Sequence, residues 1–143
     1  MNSILVVCEG NICRSPMAQA LLAAKLPRSR VASAGLSAVV GAGADDTAIA
    51  LLDERGIDLR GHRAQQITRR LCLEADIVLV MDREQRQRLE RIYPEVQGRV
   101  FRIGEYAKTE IPDPYRRPEA AFRHALALLD EGVAHWVQRI DRL

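Results

Sequence analysis

The N-terminal stretch constrains this chain most. Ile4 to Val7 is a short, wholly apolar run, which reads as a buried β-strand. It stops at Cys8. Six positions later Arg14 runs straight into Ser15-Pro16, a pair that opens helices, with Ser15 suited to the cap and Pro16 to the first helical position. Met17, Ala20, Leu21 and Ala24 then repeat at helical spacing. A strand feeding a helix through so short a loop belongs in a sheet with helical crossovers.

The rest of the chain continues that pattern. Val31 to Ala34 predicts a second strand, ended by Gly35. Asp45-Asp46 can cap a helix carrying Ile49 and Leu52, with Gly56 as its stop. Ile77 to Met81 is the clearest strand, a continuous apolar and β-branched run. A basic helix with Leu89 and Ile92 follows, then a fourth strand from Arg99 to Ile103. The last helix, from about Pro118 to Ile140, sets Phe122, Leu126, Leu129, Val133, Trp136, Val137 and Ile140 on one stripe. The expected fold is α/β: a single domain over residues 1–143, a four-stranded parallel sheet flanked by helices on both faces, and a phosphate-binding loop after the first strand. A chain of 143 residues suits one core. Ligands of such sheets sit beyond the carboxyl ends of the strands, which directs attention to the Cys8 loop.

Charge excludes some functions. The formal net charge is +2, too small to argue for nucleic acid. The arginines are scattered (Arg69-Arg70, Arg83, Arg86, Arg88, Arg91, Arg116-Arg117), without interleaved aromatics, and most read as solvated helix faces. No apolar run is long enough for a bilayer, and the first residues lack a basic n-region and a cleavage site. The three cysteines are an odd number, which argues against a disulfide scaffold and for a reducing, cytoplasmic setting. A monomer is expected.

The loop Cys8-Glu9-Gly10-Asn11-Ile12-Cys13-Arg14-Ser15 has the parts of an anion cradle. Wrapped ahead of a helix N-terminus, it can aim several backbone N–H groups at one point. Arg14 adds a planar fork that matches two phosphate oxygens. Gly10 and Asn11 tolerate the left-handed backbone of a tight turn. The same positive field favours a cysteine thiolate, the form that attacks phosphorus. Ser15 can hydrogen-bond that sulfur or simply cap the helix. There is no Gly-Lys-Ser/Thr triplet of a nucleotide-binding loop, and no histidine pair accompanies the Cys-x4-Cys spacing as a zinc site would need. Cys13 is a candidate partner for a reversible disulfide with Cys8.

The string from Val7 to Pro16 resembles the signature of the low-molecular-weight protein tyrosine phosphatases, and Asp113-Pro114-Tyr115 resembles a second mark of that family. The likeness spans essentially the whole chain and is nearest to bacterial members that accompany capsule or exopolysaccharide export. It implies that Cys8 attacks the phosphoryl group to form a phosphocysteine. Arg14 and the amides of Glu9, Gly10, Asn11, Ile12, Cys13 and Ser15 would hold the oxygens, and Asp113 would serve as acid and then base. Tyr115 would stack on the substrate ring, and Asn11, Ser15, Ser33 and His62 would hold the loop from behind. It implies no metal and no cofactor, and as partner a tyrosine-phosphorylated protein, an autophosphorylating kinase, with no nucleic acid and no stable membrane insertion. Read alone, Asp113 is only an aspartate stiffened by Pro112 and Pro114.

Three positions depart from the family pattern. Glu9 puts an acid where an apolar residue is common, which is expected to disfavour acidic substrates or select basic neighbours. Val39-Val40 stand where animal members have a tryptophan, and Gln65 replaces an arginine, with an effect expected on local packing. Rival readings are an arsenate reductase, for which Cys72 alone is a poor relay, a phosphoarginine phosphatase, against which Ile12 speaks, and a phosphate-binding or redox-sensing module without catalysis.

Overall fold

The computed structural model describes residues 2–142. Four strands, β1 (Ser3–Cys8), β2 (Arg30–Gly35), β3 (Ile77–Val80) and β4 (Val100–Arg102), form one parallel sheet in the order β2-β1-β3-β4. β1 is central, so the loop that leaves it emerges between β2 and β3. Around the sheet lie α1 (Arg14–Lys25), α2 (Asp46–Asp53), α3 (Arg69–Glu74), α4 (Arg83–Ile92) and α5 (Glu119–Ile140).

The alternation of side chains along β1 explains why both faces are covered. Ile4, Val6 and Cys8 join Ile77 and Leu79 in a core with α1, α2 and α5. Leu5 and Val7 join Val78 and Val80 in a second core with Cys72 of α3 and Leu89 of α4. The α5 stripe is buried as its spacing requires, although Val137 is only partly covered. Trp136 completes it by donating from its indole nitrogen to the Ile103 carbonyl at 3.0 Å.

One expectation needs correction, and two short elements go unannounced by the sequence pattern. Ser15 does not cap α1: the helix starts at Arg14, its cap position is Cys13, and no side chain closes that end. The Ser15 hydroxyl is occupied elsewhere, and the bare N–H groups are left for an anion. The pattern also conceals α3 and a short 3-10 turn at Pro94–Val96, because α3 buries only Cys72 and therefore shows no apolar stripe. Elsewhere boundaries differ by a residue or so. Asp45 caps α2 by accepting from the Thr47 N–H, and Gly56 takes a left-handed φ of 74° beyond its end.

Gly35 couples the sheet to the loop. A Cβ there would lie 2.7 Å from the Glu9 carbonyl oxygen and 3.0 Å from Ala38. We expect Gly35→Ala to cost about 1–3 kcal/mol of stability in urea unfolding through overpacking, and to weaken phosphate binding because the loop must shift. Unchanged stability and phosphate affinity would contradict this packing.

Candidate active site

The loop after β1 has every carbonyl from Cys8 to Cys13 engaged. The carbonyls of Cys8, Glu9 and Gly10 accept from the N–H groups of Leu36, Ser37 and Val39. That of Asn11 accepts from His62 Nε2–H at 2.7 Å, which fixes the tautomer of the ring. Those of Ile12 and Cys13 accept from the N–H groups of Asp45 and Met17. In a trans peptide the next N–H points the opposite way. The amides of residues 9–14 are thereby turned from those partners toward one concavity at the start of α1. Asn11 supplies the bend, with φ at 58°; Gly10 does not need its glycine freedom, since it is not among the left-handed residues.

A directional hydrogen-bond chain supports this bend from behind. Gln19 Nε2 donates to the Val31 carbonyl, so its Oε1 must accept, and the Ser33 hydroxyl donates to it at 2.6 Å. Having spent its proton, Ser33 accepts from Asn11 Nδ2 at 2.9 Å. Asn11 is held in that orientation by the Gln65 N–H on its Oδ1. The second Nδ2 proton goes to Ser15 Oγ at 2.7 Å. Ser15 is left with its own proton to give, and Cys8 Sγ lies 2.9 Å away. When Cys8 is a thiolate, which can only accept, the chain ends with the Ser15 hydroxyl donating to the sulfur. Gln65 also donates from its side chain to the Ser33 carbonyl, so it does more than pack. Gln19 was legible in the sequence only as the residue four after Ser15, on the same helix face.

Arg14 lies almost wholly inside, 4% exposed. Its Nη1 donates to the Ile111 carbonyl at 2.9 Å, and Asp82, the cap of α4, stands 4.0 Å off. Asp113 Oδ2 is 3.7 Å from Nη2, on a half-exposed side chain whose Oδ1 accepts from the Tyr115 N–H. Tyr115 is exposed with Arg116 over its ring at 5.2 Å. The cleft, of about 210 Å³, is lined by Cys8, Glu9, Gly10, Ile12, Cys13, Arg14, Ser37, Val39, Asp113 and Tyr115. A buried sulfur at the base, a cationic fork beside it, a carboxylate at the mouth and apolar walls from Ile12, Val39 and Tyr115 suit an aryl phosphate.

Of the residues expected at the site, Cys8, Glu9, Gly10, Ile12, Cys13, Arg14, Asp113 and Tyr115 line the cleft, whereas Asn11 and Ser15 are buried and do not line it, and Ser33 and His62 bond to Asn11 from behind the loop. Arg88 is an exception to the reading of most arginines as solvated faces. It reaches from α4 to grip Glu9, at 2.7 and 3.1 Å, and its Nη2 also meets Ser37 Oγ at 3.1 Å. No spacing in the sequence links positions so far apart.

The family model "Low molecular weight phosphotyrosine protein phosphatase" matches residues 3–143. The probable low molecular weight protein-tyrosine-phosphatase EpsP of Ralstonia nicotianae is 49% identical over 100% of this chain and 99% of its own length. Among solved structures, Wzb of Vibrio vulnificus in complex with benzylphosphonate is similar with a TM-score of 0.93 and 40% identity, covering 96% of this chain and 98% of that one. The YwlE arginine phosphatase of Geobacillus stearothermophilus is similar with a TM-score of 0.93 and 32% identity, covering 99% of this chain and 94% of that one.

The three thiols are free and buried. Burial, reinforced by the Asp45 carboxylate, pushes the Cys13 thiol far above the usual range, and burial pushes Cys72 up to about 11. Both are therefore held in the protonated form at neutral pH. Iodoacetamide at neutral pH is expected to label Cys8 and spare Cys13 and Cys72, with inorganic phosphate protecting Cys8, as read by peptide mass analysis. Equal labelling of Cys13 would contradict the arrangement.

Proposed function

This chain belongs to the low molecular weight phosphotyrosine protein phosphatase family, and from that premise we propose that it hydrolyses phosphotyrosine in proteins through a phosphocysteine on Cys8. The observation that carries the assignment of roles is the convergence of Cys8, Arg14 and Asp113 on one cleft.

In the first step the Cys8 thiolate attacks phosphorus, an S–P bond forms and the tyrosyl O–P bond breaks. Asp113 gives its proton to the departing phenolate. Charge accumulates on the equatorial oxygens, where the inward amides of residues 9–14 and the Arg14 fork receive it. In the second step Asp113 takes a proton from water, the water oxygen bonds to phosphorus, and the S–P bond breaks. The Ser15 proton, directed at the sulfur, eases that departure. The hydrogen bond from Arg14 to Ile111 holds the fork in place before substrate arrives, so little ordering remains to be done.

The fold alone does not choose between phosphotyrosine and phosphoarginine, since an arginine phosphatase shares it. The apolar Ile12, beside Val39 and Tyr115, favours the aryl ester. The family resemblance further supports a cytoplasmic, monomeric enzyme acting on an autophosphorylating tyrosine kinase of capsule or exopolysaccharide production. Among the described residues no helix is long and apolar enough to cross a membrane.

Phosphotyrosine and phosphoarginine peptides compared at equal concentration test the substrate. Preferential release of phosphate from phosphotyrosine is expected. Cys8→Ser should abolish turnover, and Asp113→Asn should lower kcat about 10²–10⁴-fold. Preference for phosphoarginine, or full activity in Cys8→Ser, would overturn the assignment.

A further inference from the structure

The side chains of Glu9 and Arg88 have no part in the steps above, yet Glu9 lines the cleft and Arg88 reaches it from α4. Glu9 directly follows Cys8 and is one of the residues that line the cavity, with its carboxylate turned to Arg88. A bare carboxylate there opposes a substrate whose phosphoryl group carries nearly two negative charges. Arg88 meets it with a fork geometry, Nη1 to Oε1 at 2.7 Å and Nη2 to Oε2 at 3.1 Å. Its Nη2 also meets Ser37 Oγ, and the Ser37 N–H donates to the Glu9 carbonyl. Thus α4, the phosphate loop and the segment after β2 are clasped at one place.

The pair is half-exposed, 30% and 40% for the two side chains, so its contribution to folding is small. Its effect on the cleft is of another kind. The Arg88 hydrogen bond holds the Glu9 carboxyl below the ordinary carboxylate range, and Arg14 acts on it in the same direction. Glu9 is therefore charged throughout the neutral range and lies within the field of the residue that would grip the phosphate.

We propose that Arg88 is a positioning residue for the phosphatase reaction: by closing Glu9 into an ion pair against Ser37, it cancels the rim charge and opens the cleft to dianionic aryl phosphates, including phosphotyrosine flanked by acidic residues. This rests on the phosphotyrosine reading above. It also reverses the expectation that Glu9 selects against acidic substrates, because the compensating charge comes from α4.

The test is a double-mutant cycle on kcat/KM, with para-nitrophenyl phosphate and an acid-flanked phosphotyrosine peptide as probes. At low ionic strength Arg88→Met should lower kcat/KM about tenfold, mainly through KM, and more for the acidic peptide. The deficit should shrink at high salt. Adding Glu9→Gln to Arg88→Met should recover most of the loss, which a merely structural Arg88 would not allow. An Arg88→Met enzyme equal to wild type, a salt-independent deficit, or a double variant as poor as the single would each overturn the proposal. An inactive wild type would instead defeat the phosphatase reading, so the two failures are distinct.

Discussion

The outward anchoring of the loop carbonyls is the constraint on which the rest of the structure depends. Between Cys8 and Cys13 each carbonyl is claimed by a donor from the turn after β2, from Asp45, from His62 or from the first turn of α1. A free loop of this length would point its peptide dipoles in all directions. Here the sheet and two neighbouring segments hold them one way, so that no reorganisation is left for the moment an anion arrives. Parallel pairing of β1 with β2 puts Gly35 directly beside Cys8, and the close approach of Gly35 to the Glu9 carbonyl depends on the absence of a side chain.

That arrangement has a local cost, and the polar cluster beneath the loop offsets it. Asn11 sits in the left-handed region, disfavoured for a residue with a Cβ. Its side chain returns three hydrogen bonds: one accepted from Gln65 and two donated, to Ser15 and Ser33. Because Gln19 and Gln65 fix the amide orientations at both ends, the protons along the chain have one consistent direction as far as Ser15, whose own proton goes to the sulfur when Cys8 is a thiolate. Burial of Asn11, Ser15 and Ser33 would be unfavourable without those partners. The same bonds therefore satisfy the interior, hold the backbone and orient Ser15 toward Cys8.

Much of this was legible in the residues. The apolar runs of β1 and β3 marked the sheet, and the stripe from Phe122 to Ile140 marked the helix that closes one face. The spacing from Cys8 to Arg14 marked the anion cradle, and resemblance supplied Asp113, which the residues alone showed only as a stiffened aspartate. What stayed hidden was long-range or lacked a pattern. α3 buries one side chain and leaves no stripe. Ser15 was readable as a partner of Cys8 or as a cap, and only the loop's tertiary path, which brings Cys8 and Asn11 to it, decides between them. Arg88 could not be told from its basic neighbours, since its partner lies in another element, and Glu9 made no sense without it.

The central claim is that the cradle presents Cys8 to phosphorus as a nucleophile and does not merely bind an anion. Rapid quenching during turnover of a phosphotyrosine peptide, followed by phosphorus NMR and peptide mass analysis, tests this most directly. The account expects one phosphoryl group attached through sulfur on the peptide that carries Cys8. Sustained turnover with no such species under any quench condition, or a phosphoryl group on oxygen at another residue, would contradict it.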